Sequence, residues 1–152
     1  MARLFRFLDL PPFWLIAMAV AAFGVDRLIP GLGFGLNWTQ GAGTGLICIG
    51  LGVMALAVWE FLRARTTIIP RKRPSAFLRS GIYQLTRNPI YLADAMVLGG
   101  LVLRWDVLPA LVLVPVFMGI ITTRFILGEE EGLITLFGEE YENWAATVRR
   151  WL

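Results

Sequence analysis

Long apolar runs, broken by short polar stretches, fill most of this chain. Four of them, at about 13–29, 44–62, 89–103 and 107–127, are predicted to be membrane-spanning helices, because runs near this length cross a hydrocarbon core. Beyond residue 128 the pattern changes. Leu133, Phe137, Tyr141, Trp144, Val148 and Trp151 recur every three or four residues, with polar residues between them. That is one apolar stripe on a helix. An amphipathic helix over 129–151 is therefore expected, lying in the interface or packed back on the spans. Gly138 is expected to bend it or divide it into two short helices. The whole chain, 1–152, reads as a single all-α integral membrane domain of about four transmembrane helices plus this C-terminal helix.

Several positions inside the spans carry local expectations. Pro115 is expected to kink the fourth span. Gly45, Gly50 and Gly52 are expected to let the second span pack closely. Cys48, within the same apolar run, reads as a buried, inert thiol. Glu60 sits near the end of that span and is expected to reach headgroups or pair with a basic residue. Arg124 is expected to pair with a carboxylate. The glycine-rich connection at 31–45 has no preceding strand and no βαβ context, so it reads as a turn rather than a phosphate loop.

Composition sharpens this picture. The 152 residues are 57% hydrophobic with a net charge of +3, and there is no histidine and one cysteine. That excludes histidine-based acid–base catalysis, Ser-His-Asp triads and most zinc or iron sites, so no metal is expected. Arg63, Arg65, Arg71, Lys72, Arg73, Arg79 and Arg87 are 7 of the 14 basic residues, and no acid interrupts them. By the positive-inside rule, loop 63–88 is cytoplasmic, and even crossing parity places both termini there as well. Attraction to anionic lipid headgroups explains a basic loop bounded by spans better than nucleic acid does.

The densest polar chemistry lies in Gly81-Ile82-Tyr83-Gln84-Leu85-Thr86-Arg87-Asn88-Pro89-Ile90-Tyr91. Pro89 suits the first turn of a helix, and Asn88 is expected to be its N-cap. The helix start attracts an anion, and Arg87 beside it offers a planar fork of donors. Tyr91 and Asp94 share one helix face. Tyr83 is expected to stack on an adenine or to anchor at the interface.

The spacing Gly81-x-Tyr83-x-x-x-Arg87-x-Pro89-x-Tyr91 resembles a signature of the isoprenylcysteine carboxyl methyltransferase and phospholipid methyltransferase superfamily. A second block, Glu129-Glu130, Leu133 and Phe137-Gly138-Glu139-Glu140-Tyr141, is similar to that superfamily's C-terminal signature. Better-known members carry His where this chain has Asn88, which keeps a cap but cannot titrate. The resemblance implies an integral membrane enzyme that uses S-adenosyl-L-methionine. It implies catalytic roles for Arg87, Tyr91 and Glu130, and cofactor contacts from Tyr83, Asn88, Glu129, Glu130, Leu133 and Tyr141. It implies a lipophilic or prenylated acceptor drawn from the bilayer. A carboxylate acceptor needs no general base, whereas an amine must lose a proton to a carboxylate or to Tyr91. Without histidine, O-methylation of a lipid-like carboxylate is the expected reaction. Amine headgroup methylation and a non-catalytic lipid-binding protein are the alternatives.

Overall fold

A computed structural model describes residues 9–65 and 77–152. The basic positions Arg3, Arg6, Arg71, Lys72 and Arg73 lie outside the described residues. The described residues form helices joined by turns and short irregular segments, with α1 Pro11–Leu28, α2 Thr39–Ala64, α3 Pro89–Arg104, α4 Leu113–Ile121, α5 Leu127–Phe137 and α6 Glu139–Thr147. Short 3₁₀ turns at Gly81–Gln84 and Leu108–Val112 precede α3 and α4, and a π-helical turn at Thr122–Ile126 joins α4 to α5.

Three helical runs are long and apolar enough to cross a membrane: Pro11–Leu28, Thr39–Ala64 and Leu108–Phe137. Their outer faces present Ile16, Val20, Ile49, Leu56 and Val116, as lipid-facing surfaces do. Helix α3 is shorter, at 16 residues, and is mostly buried among the others. It is rich in small residues, which lets its neighbours approach. The protein is thus an all-helical integral membrane protein built around α3.

The closest approach is between α2 and α3. Gly43, Gly50 and Ala57 are buried and seven residues apart, so they share one face of α2. A methyl group on Gly43 would meet the backbone of Gly100 and Arg104, and one on Gly50 would meet Ala93 and Met96. Gly45 and Gly52 were expected to serve this packing, but nothing lies within 4 Å of where their side chains would project. They sit two residues further along, which turns them away from the α3 face. Cys48 is likewise exposed on α2 rather than buried.

At one end of the bundle, Asp106 accepts a hydrogen bond from the Phe34 amide at 2.9 Å, and the Leu108 amide donates to the Leu32 carbonyl at 3.0 Å. The connection read as a turn is therefore tied to the α3–α4 corner. The other end carries the polar stretch from Gly81 onward together with Glu129 and Glu130. Near it, Arg124 pairs with Asp9 at 3.0 Å.

The fourth run departs most from expectation. It continues past residue 127 to Phe137, so the first half of the expected tail helix prolongs the span. Pro115 lies in the first turn of α4, where its missing N–H goes unnoticed. The larger irregularity is the π turn, whose closing bond runs from the Leu127 amide to the Thr122 carbonyl. Nearby, the Thr122 and Thr123 hydroxyls donate to the carbonyls of Met118 and Gly119, at 2.7 and 3.0 Å. An extra residue in one turn rotates everything beyond it relative to a regular helix. At Gly138 the backbone takes φ +53°, which separates α5 from α6.

Candidate functional site

Helix α3 begins at Pro89, which needs no amide donor there, after a 3₁₀ turn entered through Gly81. Asn88 does not cap it through its side chain, contrary to expectation. Its amide group instead donates to the Arg150 carbonyl at 3.0 Å, while the Asn88 N–H reaches the Thr86 hydroxyl at 3.2 Å. The reason is tertiary. After α6 ends at Thr147, the chain becomes extended at Val148 and runs back across the start of α3. The Arg87 amide donates to the Arg149 carbonyl at 2.9 Å, and the buried Thr86 hydroxyl donates to the Arg150 carbonyl at 3.2 Å. The returning strap supplies acceptors that a local reading of Asn88 does not anticipate.

This strap completes a charged cluster. Arg150 grips Glu130 with two bonds, Nε at 3.0 Å and Nη2 at 2.6 Å, and Arg87 Nη1 stands 3.3 Å from the same carboxylate. Arg87 and Glu130 side chains are only 15% and 13% exposed. Glu130 thus sits on α5 between two guanidiniums. The Arg87 Nε is buried and has no hydrogen-bond partner among the described residues. The Tyr141 hydroxyl lies beside the same cluster. Its burial, then the charge of Glu130, pushes that phenol above its usual range, opposed by Arg87 and Arg150. The Glu130 carboxylate, in turn, holds the Arg150 guanidinium more firmly protonated.

One turn into α3, the Tyr91 hydroxyl donates to Glu129 at 2.9 Å. The arginine-bearing loop and the glutamate pair therefore meet at one end of the bundle, and two separate contacts join them. Glu129 and Glu130 do not mark a fresh helix start, because the backbone before them is already helical through Ile126. Favourable placement at a helix N-terminus does not explain them. Leu133 follows one turn along α5, half-buried.

Tyr83 is buried against Ala57 and Leu78, with Phe61 packed edge-on at 6.0 Å. Burial, then Glu129, then Glu60 raise its phenol above the ordinary range. Glu60 itself is only 7% exposed and accepts a hydrogen bond from Ser80 at 2.5 Å. It has no ion pair among the described residues, where the Ser80 hydroxyl is its partner. Phe77 packs against Phe137, Tyr141 and Trp144, so this part of the apolar stripe faces inward.

Sequence reasoning named Arg87, Tyr91, Glu129 and Glu130, and these four lie together. It assigned no site role to Arg150, Thr86 or Glu60. No sequence pattern links Arg150 to Glu130, twenty residues earlier, because the link depends on the chain reversing after α6. The buried acid Glu60 at the end of an apolar run was the one usable signal.

Residues 38–140 match the family model described as phospholipid methyltransferase. The match runs from the residue before α2 into the start of α6 and takes in Arg87, Tyr91, Glu129 and Glu130; α1 and Arg150 lie outside it. No curated protein and no solved structure matches the chain.

Proposed function

Because the chain belongs to the phospholipid methyltransferase family, we propose that it methylates the amine of a phospholipid headgroup, using S-adenosylmethionine, at the end of the bundle that holds Arg87, Tyr91, Glu129 and Glu130. By the positive-inside rule, the basic loop supports a cytoplasmic position for this end and for both termini.

The residues present suit the donor. When bound, it supplies a methyl group already activated by a sulfonium, so the protein need only bind, orient and exclude water. The observation that carries the reading is the Arg87 Nε, a buried donor with no acceptor among the described residues. A buried unsatisfied donor is costly, and a ligand carboxylate removes that cost. Glu130 is engaged by Arg87 and Arg150, so its part is to hold the Arg87 fork in place rather than to meet the ligand's ammonium. Glu129, held by Tyr91, is better placed for an ammonium or a ribose hydroxyl. Tyr83 and Tyr141 wall the site and keep it dry, and Asn88 keeps the strap closed over it.

The acceptor assignment departs from the carboxylate expected on sequence grounds. Around Tyr83 and Tyr91 the charged groups among the described residues include the acids Glu60, Asp94 and Glu129, which favour a cation. O-methylation of a lipid or isoprenylcysteine carboxylate is the second reading, favoured by the absence of histidine, since a carboxylate acceptor needs no general base.

Two measurements test the proposal. Calorimetry in detergent is expected to show cofactor binding that weakens at least tenfold in Glu130→Gln, since the variant leaves Arg87 without its anchor. A labelled methyl donor is expected to mark phosphatidylethanolamine in mixed vesicles. Absence of cofactor binding by the unaltered protein rejects the reading, and label confined to carboxylate lipids selects the second one.

A further inference from the structure

Asp94 is the sixth residue of α3, one turn deeper than Tyr91 and on the same face. It is 7% exposed. Its carboxylate has no hydrogen-bond donor and no cation as a partner among the described residues. Ionisable groups inside a spanning segment are costly and are normally paired or turned to a water-filled path. Every other described carboxylate at this depth or near it has found a partner: Glu60 the Ser80 hydroxyl, Glu129 the Tyr91 hydroxyl, Glu130 two guanidiniums. Asp94 alone has none among the described residues, and it lies one turn from Tyr91, which in turn holds Glu129.

From this we propose that Asp94 receives the ammonium of the acceptor headgroup and takes one of its protons. The inference rests on the amine reading above and adds the base that the missing histidine leaves unassigned. The balance is simple. A primary ammonium gives one proton to the Asp94 carboxylate, leaving a neutral amine and a carboxylic acid. The amine lone pair then forms the new nitrogen–carbon bond while the carbon–sulfur pair returns to sulfur. The product leaves as an N-methylammonium, and the Asp94 proton returns to water at the membrane surface. The ionisable groups nearest this carboxylate are Tyr91 on its own helix and, past it, Glu129 on α5, which Tyr91 holds. Neither is a cation, so among the described residues these groups offer the ammonium no competitor.

The test uses the full-length protein in lipid nanodiscs. Dicyclohexylcarbodiimide, which attacks carboxyl groups in apolar surroundings, is expected to label Asp94, as mapped by mass spectrometry. Phosphatidylethanolamine is expected to protect it at least fivefold better than phosphatidylglycerol, which has no amine. Asp94→Asn is expected to bind the methyl donor within threefold of the unaltered protein, yet to lose at least thirtyfold in kcat on phosphatidylethanolamine; Asp94→Glu is expected to recover part of it. Equal protection by the two lipids overturns the proposal, as does near-normal turnover by Asp94→Asn. If Asp94→Asn does not fold, the labelling experiment on the unaltered protein still decides. Loss of donor binding in the unaltered protein indicts the methyltransferase reading itself, whereas normal donor binding without amine-specific protection indicts only the role of Asp94.

Discussion

Gly81 shows how one residue sets up the site from below. Its φ is +56°, and a methyl group there would strike the Glu60 carboxylate. Only glycine combines that backbone with that clearance. Gly81→Ala is therefore expected to cost about 1–3 kcal/mol. Thermal unfolding in detergent is expected to show a fall of several degrees, and an unchanged midpoint would mean that Glu60 is not seated under the 3₁₀ turn. At this scale the sequence was legible where the physics is local. Pro89 opens α3 and Gly138 divides α5 from α6 because each residue restricts or frees its own backbone. It misled where a partner arrives from elsewhere: Asn88 has the chemistry of a cap, but the Arg150 carbonyl claims its amide.

Among the elements, the strap at 148–152 is what an amphipathic stripe cannot foretell. Periodicity carried the expected helix on to residue 151, whereas α6 ends at Thr147 and the last residues pair with the start of α3. Within the stripe, Phe137, Tyr141 and Trp144 pack on Phe77, while Val148 and Trp151 lie beyond the helix. Removing Arg149–Leu152 deletes the hydrogen bonds to Thr86, Arg87 and Asn88, the Trp151 indole contact to Thr122, and the Arg150–Glu130 pair. Each hydrogen bond is worth about 0.5–1.5 kcal/mol net, and leaving the Glu130 carboxylate to Arg87 alone adds more. The truncated protein is expected to melt several degrees lower and to bind the methyl donor at least tenfold more weakly. Arg150→Gln alone is expected to reproduce most of the binding loss. Donor affinity equal to that of the full chain would mean that the strap is packing and nothing else. The π turn belongs to the same scale. Nothing in Thr122-Thr123-Arg124-Phe125-Ile126 announces it, though the two threonines have hydroxyls able to serve nearby carbonyls.

At the scale of the molecule, hydropathy was enough to read an all-helical membrane protein, and the spacing of Arg87, Tyr91, Glu129 and Glu130 was enough to single out four residues that the fold brings together at one end of it. The interior chemistry of that end makes a prediction about pH. Tyr83 and Tyr141 both have phenols pushed above the 10.0 of an unburied tyrosine, chiefly by burial and then by neighbouring glutamates. Below pH 10, folded and unfolded chains both keep these protons, and the phenols contribute no pH dependence. Above it, the unfolded chain releases them while the folded one does not, so unfolding gains about 1.4 kcal/mol per pH unit for each phenol until the folded group also ionises. Stability is therefore expected to be level with respect to these groups up to about pH 10 and to fall as the pH rises further. Phenolate absorbance at alkaline pH is expected to lag in the folded protein behind that of the denatured chain, and Tyr83→Phe is expected to flatten the fall in melting temperature above pH 10. Folded-state phenols that titrate with the denatured ones would mean that water and hydroxide reach Tyr83 and Tyr141, and the dry, acid-lined end on which amine methylation depends would not exist.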